Sequence, residues 1–173
     1  KAIPGAVPLK TLSKDRDNYI SRPDTGEKLS PESVAALEKL RDSWGTNLPK
    51  GQIVISDGLN AKAIMDDGHL KPYLEQMKRL LAEAGVPINE KNIVVTGGRV
   101  RAGYRIGEVL FEKADPNSFR GILHIIGERP GTMHHSYSVY ITVAKGKTWA
   151  EKKIDHDITK LVCNIADTAL PPR

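Results

Sequence analysis

The sequence predicts an α/β fold, a mostly parallel sheet covered by helices on both faces, and three observations carry that expectation. Gln52-Ile53-Val54-Ile55-Ser56, Asn92-Ile93-Val94-Val95-Thr96 and Gly121-Ile122-Leu123-His124-Ile125-Ile126 are short, rich in β-branched residues and apolar on successive positions, as strands buried on both faces are. Segments with helical apolar spacing alternate with them, the order from which parallel sheets are built. With 173 residues, 39% of them hydrophobic, the chain suits one buried core rather than two.

Each element has a local reason. Residues 1–29 carry Pro4, Gly5, Pro8, Pro23 and Gly26 among mixed charges and are expected to form an irregular N-terminal arm. Residues 30–173 are expected to form a single α/β domain. Ser30-Pro31-Glu32 offers an N-cap, a proline at the first helical position and an acid in the first turn, and Val34, Leu37, Leu40 and Trp44 follow at helical spacing before Gly45. The first strand runs over 52–56 and turns at Asp57-Gly58. A helix over 69–84 presents Leu70, Leu74, Met77, Leu80 and Leu81 on one face and stops at Gly85. The second strand, 92–96, leads through Gly97-Gly98 to a short helix over 104–113 with Ile106, Val109 and Leu110 inward. The third strand ends at Gly127, and 137–143 is a fourth. Thr148 and Glu151 resemble a capping box, and Trp149, Ile154, Ile158, Leu161 and Ile165 roughly keep helical period, so a last helix is expected over 149–165. Leu161-Val162-Cys163 also reads as strand.

Composition excludes several classes. No apolar run approaches the roughly 20 residues that span a bilayer, so no membrane partner is expected. Lys and Arg total 26 against 21 Asp and Glu, a net charge of +5, but the signs are interleaved and aromatics are 5%. A nucleic-acid partner is therefore not expected either. The lone Cys163 cannot close an intramolecular disulfide, and the opening residues lack an apolar signal-type stretch, so a reducing, cytoplasmic setting is expected.

Each of the three buried strands ends in a glycine-bearing, charged loop: Ser56-Asp57-Gly58-Leu59-Asn60, Thr96-Gly97-Gly98-Arg99-Val100 and Gly127-Glu128-Arg129-Pro130-Gly131. In an open parallel sheet the carboxyl ends lie on one edge, where ligands bind. Asp57, Arg99, Glu128 and Arg129 would surround such a ligand, while the glycines let it approach the backbone. None of the loops is a G-x-G-x-x-G or a P-loop. His134-His135 lacks partners at a metal-ligand spacing, so no metal site is expected. His124 reads as a satisfied core residue and Cys163 as a small buried hydrophobe. No catalytic acid, base or nucleophile is expected.

At these loops the sequence resembles the light chain of ethanolamine ammonia-lyase. The matching stretches are Tyr19-Ile20-Ser21-Arg22-Pro23-Asp24-Thr25-Gly26, Val54-Ile55-Ser56-Asp57-Gly58-Leu59, Gly98-Arg99-Val100 followed by Ile106-Gly107-Glu108, and Ile126-Gly127-Glu128-Arg129-Pro130-Gly131. The resemblance covers roughly residues 19–165. It implies a Rossmann-like fold that caps the barrel of a heavy chain, with adenosylcobalamin held between the two in a hetero-oligomer. It also implies a carbon-nitrogen lyase that converts ethanolamine to acetaldehyde and ammonia, is inactive without the heavy chain, and has its substrate bound by that partner. Val100 and Glu128 are then cofactor contacts, and Arg99 and Arg129 meet the phosphate of the nucleotide tail or the partner chain.

The last family motif, R-x-C-[IV]-S-N-I, is altered: aligned on Asn164-Ile165, Leu161 stands at the cysteine, Cys163 at the serine and Thr159 at the arginine. Leu161 can replace the cysteine as a cofactor contact only through its backbone. The resemblance further implies packaging into a bacterial microcompartment, directed in the family by an N-terminal extension outside this sequence. The alternative is a divergent, non-catalytic α/β module that binds a ligand or a protein.

Overall fold

The structure, a computed structural model, describes residues 3–65, 70–127 and 136–166. Six strands form one sheet in the order β1-β3-β2-β4-β5-β6: β1 (Val7–Lys10), β2 (Gly51–Ser56), β3 (Ile93–Thr96), β4 (Phe119–Gly127), β5 (Ser136–Lys145) and β6 (Thr159–Ala166). The first four in that order pair in parallel, and β5 and β6 pair antiparallel. The sheet is therefore mixed, which corrects the mostly parallel, Rossmann-like expectation. Chain length gives the reason: a parallel return needs a crossover of about a dozen residues or more, and the stretch between Gly127 and Ser136 is too short for one.

Helices cover both faces. On one, α3 (Pro31–Ser43) and α6 (Val100–Phe111) bury Leu37, Tyr104, Ile106, Leu110 and Phe111 against Leu9, Val54, Ile93, Val95 and Ile122. On the other, α4 (Ala61–Met65) and α5 (Leu70–Glu83) bury Ile64, Leu70 and Leu74 against Ile53, Ile55, Leu123, Ile125, Tyr137 and Val139. The caps read from sequence are in place on α3: Ser30 accepts from Ser33 N–H and Pro31 opens the helix.

Two segments differ from expectation. Part of the residues expected to be an irregular arm is ordered as β1, α1 (Arg16–Ser21) and α2 (Pro23–Glu27). Leu9 is buried, and Ser33 Oγ accepts from Lys10 N–H at 2.8 Å and donates to its carbonyl at 2.9 Å, which fixes the strand to α3. The expected helix over 149–165 is instead the short α7 (Gly146–Ala150), a single 3-10 turn and β6. Lys152 takes a positive φ of 54° that ends the helix. Beyond it the chain gains more by pairing with β5, where Thr142 and Thr159 also share a hydroxyl hydrogen bond of 2.8 Å. Trp149 anchors the turn, fully buried, its ring 5.7 Å from Phe111 and its Nε1 donating to Arg120 C=O at 3.1 Å.

Candidate functional site

The carboxyl ends of β2, β3 and β4 share one edge, and their loops interlock through backbone. Leu59 N–H, in the loop after β2, donates across to Gly127 C=O at 3.3 Å, and Asn60 N–H donates to Asp57 C=O at 3.1 Å to close the turn within that same loop. Gly58 lies at φ 54°, and a Cβ there would run into the Gly127 carbonyl and stand 2.7 Å from Ile126 Cγ2. Gly127 is equally closed, since its Cβ would meet the carbonyls of Asn60 and Asp57. These glycines are required by the contact of two loops. The convergence read from the sequence is thus present for the described parts of the three loops.

Asp57 ties the loop after β2 to the loop after β3. Its Oδ1 accepts from Gly97 N–H at 2.8 Å. Burial raises its pKa, while hydrogen bonds from the amides of Gly97, Gly98, Gly58 and Asp57 itself act against that shift. Its acceptor capacity is therefore largely used inside the protein, holding Gly97 at φ 70°.

Beneath the edge lies a buried polar pair. Ser56 Oγ and His124 Nε2 are 2.6 Å apart and both residues are almost fully buried. Burial pushes the His124 pKa down to about 3, only partly opposed by a hydrogen bond with the Val100 backbone, so the imidazole is neutral at physiological pH. A Cβ on Gly103 would stand 3.0 Å from His124 Cγ, which is why α6 comes so close to the sheet there. His124 lies in the core as the sequence suggests, directly against the start of α6, but it is not fully satisfied: Nε2 pairs with Ser56, whereas Nδ1 is buried without a partner in ordinary hydrogen-bond geometry.

Arg99 is the N-cap residue of α6, and Val100 opens that helix, half-buried. The Arg99 guanidinium stacks 4.3 Å from the Tyr19 ring, and its Nη2 donates to Tyr19 C=O at 2.6 Å, while its own N–H donates to Gly26 C=O at 2.8 Å. Arg99 thus fastens α1 and α2 to the strand-end edge, and its Nε is buried without a hydrogen-bond partner. Arg101 adds a second tie, to Glu27 and Asp155, each at 3.1 Å. Glu128 and Arg129 lie outside the described residues.

Leu161 is not brought to this edge. It pairs with Tyr140, which pairs with His124, whereas Ile165 pairs with Tyr137 and so with Gly127. Leu161 is therefore four residues, roughly 13 Å, back along β6 from the row of Gly127, and it is 46% exposed. Residues that sequence reasoning missed are Lys14 and Arg16, which line an open pocket on the edge together with Tyr19, Asp57 and Gly97. Their signal was hidden because they fall in a stretch whose glycines and prolines suggest irregularity.

Among the described residues there is no group of His, Cys, Asp and Glu able to hold a metal ion, and no helix is long and apolar enough to cross a membrane. The fold and this edge define a domain built on one mixed sheet with helices on both faces, presenting an open row of strand-end loops. The chain belongs to the ethanolamine ammonia-lyase light-chain family, which it matches over residues 2–173. It is 33% identical over 146 residues to the ethanolamine ammonia-lyase small subunit of Clostridioides difficile (strain 630), across 80% of this chain and 45% of that protein. The chain thus spans about half the length of that curated relative.

Proposed function

We propose that this chain is the small-subunit component of an adenosylcobalamin-dependent ethanolamine ammonia-lyase, holding the corrinoid against the barrel of a heavy chain that binds ethanolamine. The observation that carries the reading is the interlocked edge itself: the segments resembling the family, Ser56-Asp57-Gly58, Gly97-Gly98-Arg99-Val100 and the end of β4 at Gly127, meet on one open face. A corrinoid brings its own ring nitrogens for cobalt, so the chain needs no metal-ligand cluster. What it must supply is an apolar footing and hydrogen-bond partners for a rim of amides. Val100, backbone groups of the loops and the buried, unpaired Arg99 Nε are groups of that kind.

When bound, the cofactor supplies the radical chemistry that converts ethanolamine to acetaldehyde and ammonia. This chain's residues act by position. Asp57 and the Ser56–His124 pair fix the backbone on which Val100 stands, and Arg99 holds α1 and α2 against it. The interlocked loops form a rigid wall that excludes water from the partner's reaction space. Glu128 and Arg129 follow Gly127 directly and complete the contact set. We place the assembly in the cytoplasm, within a microcompartment where one is made.

Co-purification with the heavy chain and adenosylcobalamin tests the reading. The expected result is a complex with a bound-corrinoid visible spectrum and ethanolamine deamination, whereas the isolated chain shows no turnover. Deamination by the chain alone, or a complex that forms and turns over without it, overturns the assignment.

A further inference from the structure

The two outer strands of the sheet are finished differently. β1, at one end, has four residues, one of them Pro8, which has no N–H to offer a further strand. Its last residue is closed off by the start of α3: Lys10 N–H donates to Ser33 Oγ at 2.8 Å, and Lys10 C=O accepts from Ser30 N–H at 3.0 Å. β6, at the other end, has eight residues, no proline and a single charge, Lys160. Among the described residues no strand pairs with its outer side. Folded proteins otherwise avoid long apolar edges, because the open N–H and C=O groups are a template for another strand.

Burial says what shape of occupant fits. Leu161 pairs with Tyr140, whose ring faces His156 on the α6 side, whereas Val162 pairs with Val139, which belongs to the core beneath α5. The two residues thus point to opposite faces of the sheet, yet they are 46% and 40% exposed. A helix laid on one face would cover one of them and leave the other. A strand added along the edge covers the flank of both and satisfies the outer backbone groups at the same time.

The position of β6 names the partner. The strand ends in the row where Ile165 pairs with Tyr137 and Tyr137 with Gly127, so its outer side is continuous with the strand-end face on which the heavy chain is placed above. Lys160 is exposed and, among the described residues, within ion-pair distance of no carboxylate. Asp157, the acid nearest to it in the chain, belongs to the turn before the strand. We propose that an extended segment of the heavy chain adds to β6 as a seventh strand, with apolar side chains beside Leu161 and Val162 and a carboxylate beside Lys160. The proposal rests on the small-subunit reading above. A second copy of this chain suits the edge less well, since its own β6 brings another lysine and no carboxylate.

Hydrogen exchange read by mass spectrometry, on the isolated chain and on its complex with the heavy chain, tests the added strand. Amides of residues 159–166 should exchange roughly tenfold or more slowly in the complex, while those of Val7–Lys10, already closed off, keep their rate. Leu161→Lys/Val162→Lys, which supplies the edge charges that discourage strand addition, should weaken binding to the heavy chain by roughly tenfold or more. Leu80→Lys, the same kind of change at an exposed site on α5, should leave binding at the wild-type value. Circular dichroism checks that both variants fold, and should the double variant not fold, exchange in the wild-type complex decides alone. Unchanged exchange of β6 in a complex that forms, slowing spread equally over the whole chain, or wild-type affinity in the folded double variant overturns the added strand and leaves the small-subunit reading standing. Dimerisation of the isolated chain that the double variant abolishes overturns it too, by placing a second copy on the edge. Failure of the wild-type chain to form a complex with the heavy chain overturns the small-subunit reading and this proposal with it.

Discussion

Acidification from pH 7 to pH 5 should cost the fold about 2 kcal/mol through His124 alone. In the folded chain its pKa is pushed down from 6.5 to about 3 by burial, so over this interval the folded imidazole takes up almost no proton. In the unfolded chain the same group is about one-quarter protonated at the upper limit and almost fully protonated at the lower. The unfolded state therefore binds more protons, and stability present above pH 6.5 is lost as the pH falls toward 3. Integrating that difference in bound protons gives the figure above. The assay is urea denaturation of wild type and His124→Gln at both pH values, because glutamine keeps a hydrogen-bonding group near Ser56 but does not titrate. The variant should be less stable at pH 7, yet its loss on acidification should be smaller than the wild type's by about 2 kcal/mol. Equal acid losses in the two proteins, or an imidazole NMR titration placing the His124 midpoint near 6, would refute the account of a neutral, desolvated ring.

Three further outcomes follow from packing. Gly107→Ala places a methyl 2.6 Å from Trp149 Cη2 and 2.9 Å from Ile122 Cγ1, so calorimetry should show destabilisation of about 1–3 kcal/mol from overpacking. Arg99→Lys loses the planar stack on Tyr19 and the donor to its carbonyl. It should cost about 1–2 kcal/mol and increase proteolysis within residues 13–27 before the rest of the chain is cut. Leu161→Ala, at a half-exposed position back from the edge, should cost less than about 1 kcal/mol in chemical denaturation and leave corrinoid retention by the complex unchanged.

Much of this site could be read from the sequence because its chemistry is local. Pro31 behind Ser30 announces α3, the β-branched runs announce β2, β3 and β4, and the glycines at 58, 97 and 127 mark where chains approach or turn. The misread parts depend on partners distant in sequence. Ile154, Ile158, Leu161 and Ile165 have a spacing that suits a helix, but β5 offers Leu161 and Ile165 a pairing edge, Ile154 and Ile158 pack at the core ahead of that strand, and the positive φ of Lys152 redirects the chain toward it. The mixed sheet was missed for a related reason: apolar runs announce burial on both faces and say nothing of strand direction. The role of Arg99 was equally hidden. A lone arginine after two glycines reads as a ligand contact, and only the fold brings Tyr19 beneath its guanidinium.

The contact between Gly58 and Gly127 has a consequence for how this protein can change over generations. Each glycine is held small by the other's loop, so neither can acquire a side chain while its counterpart remains where it is. Two sites far apart in the chain thus drift as one, and a substitution at either must wait for a rearrangement at both. Room to alter what the edge can hold is accordingly left to residues beside the seam, because the seam itself has no space for a side chain.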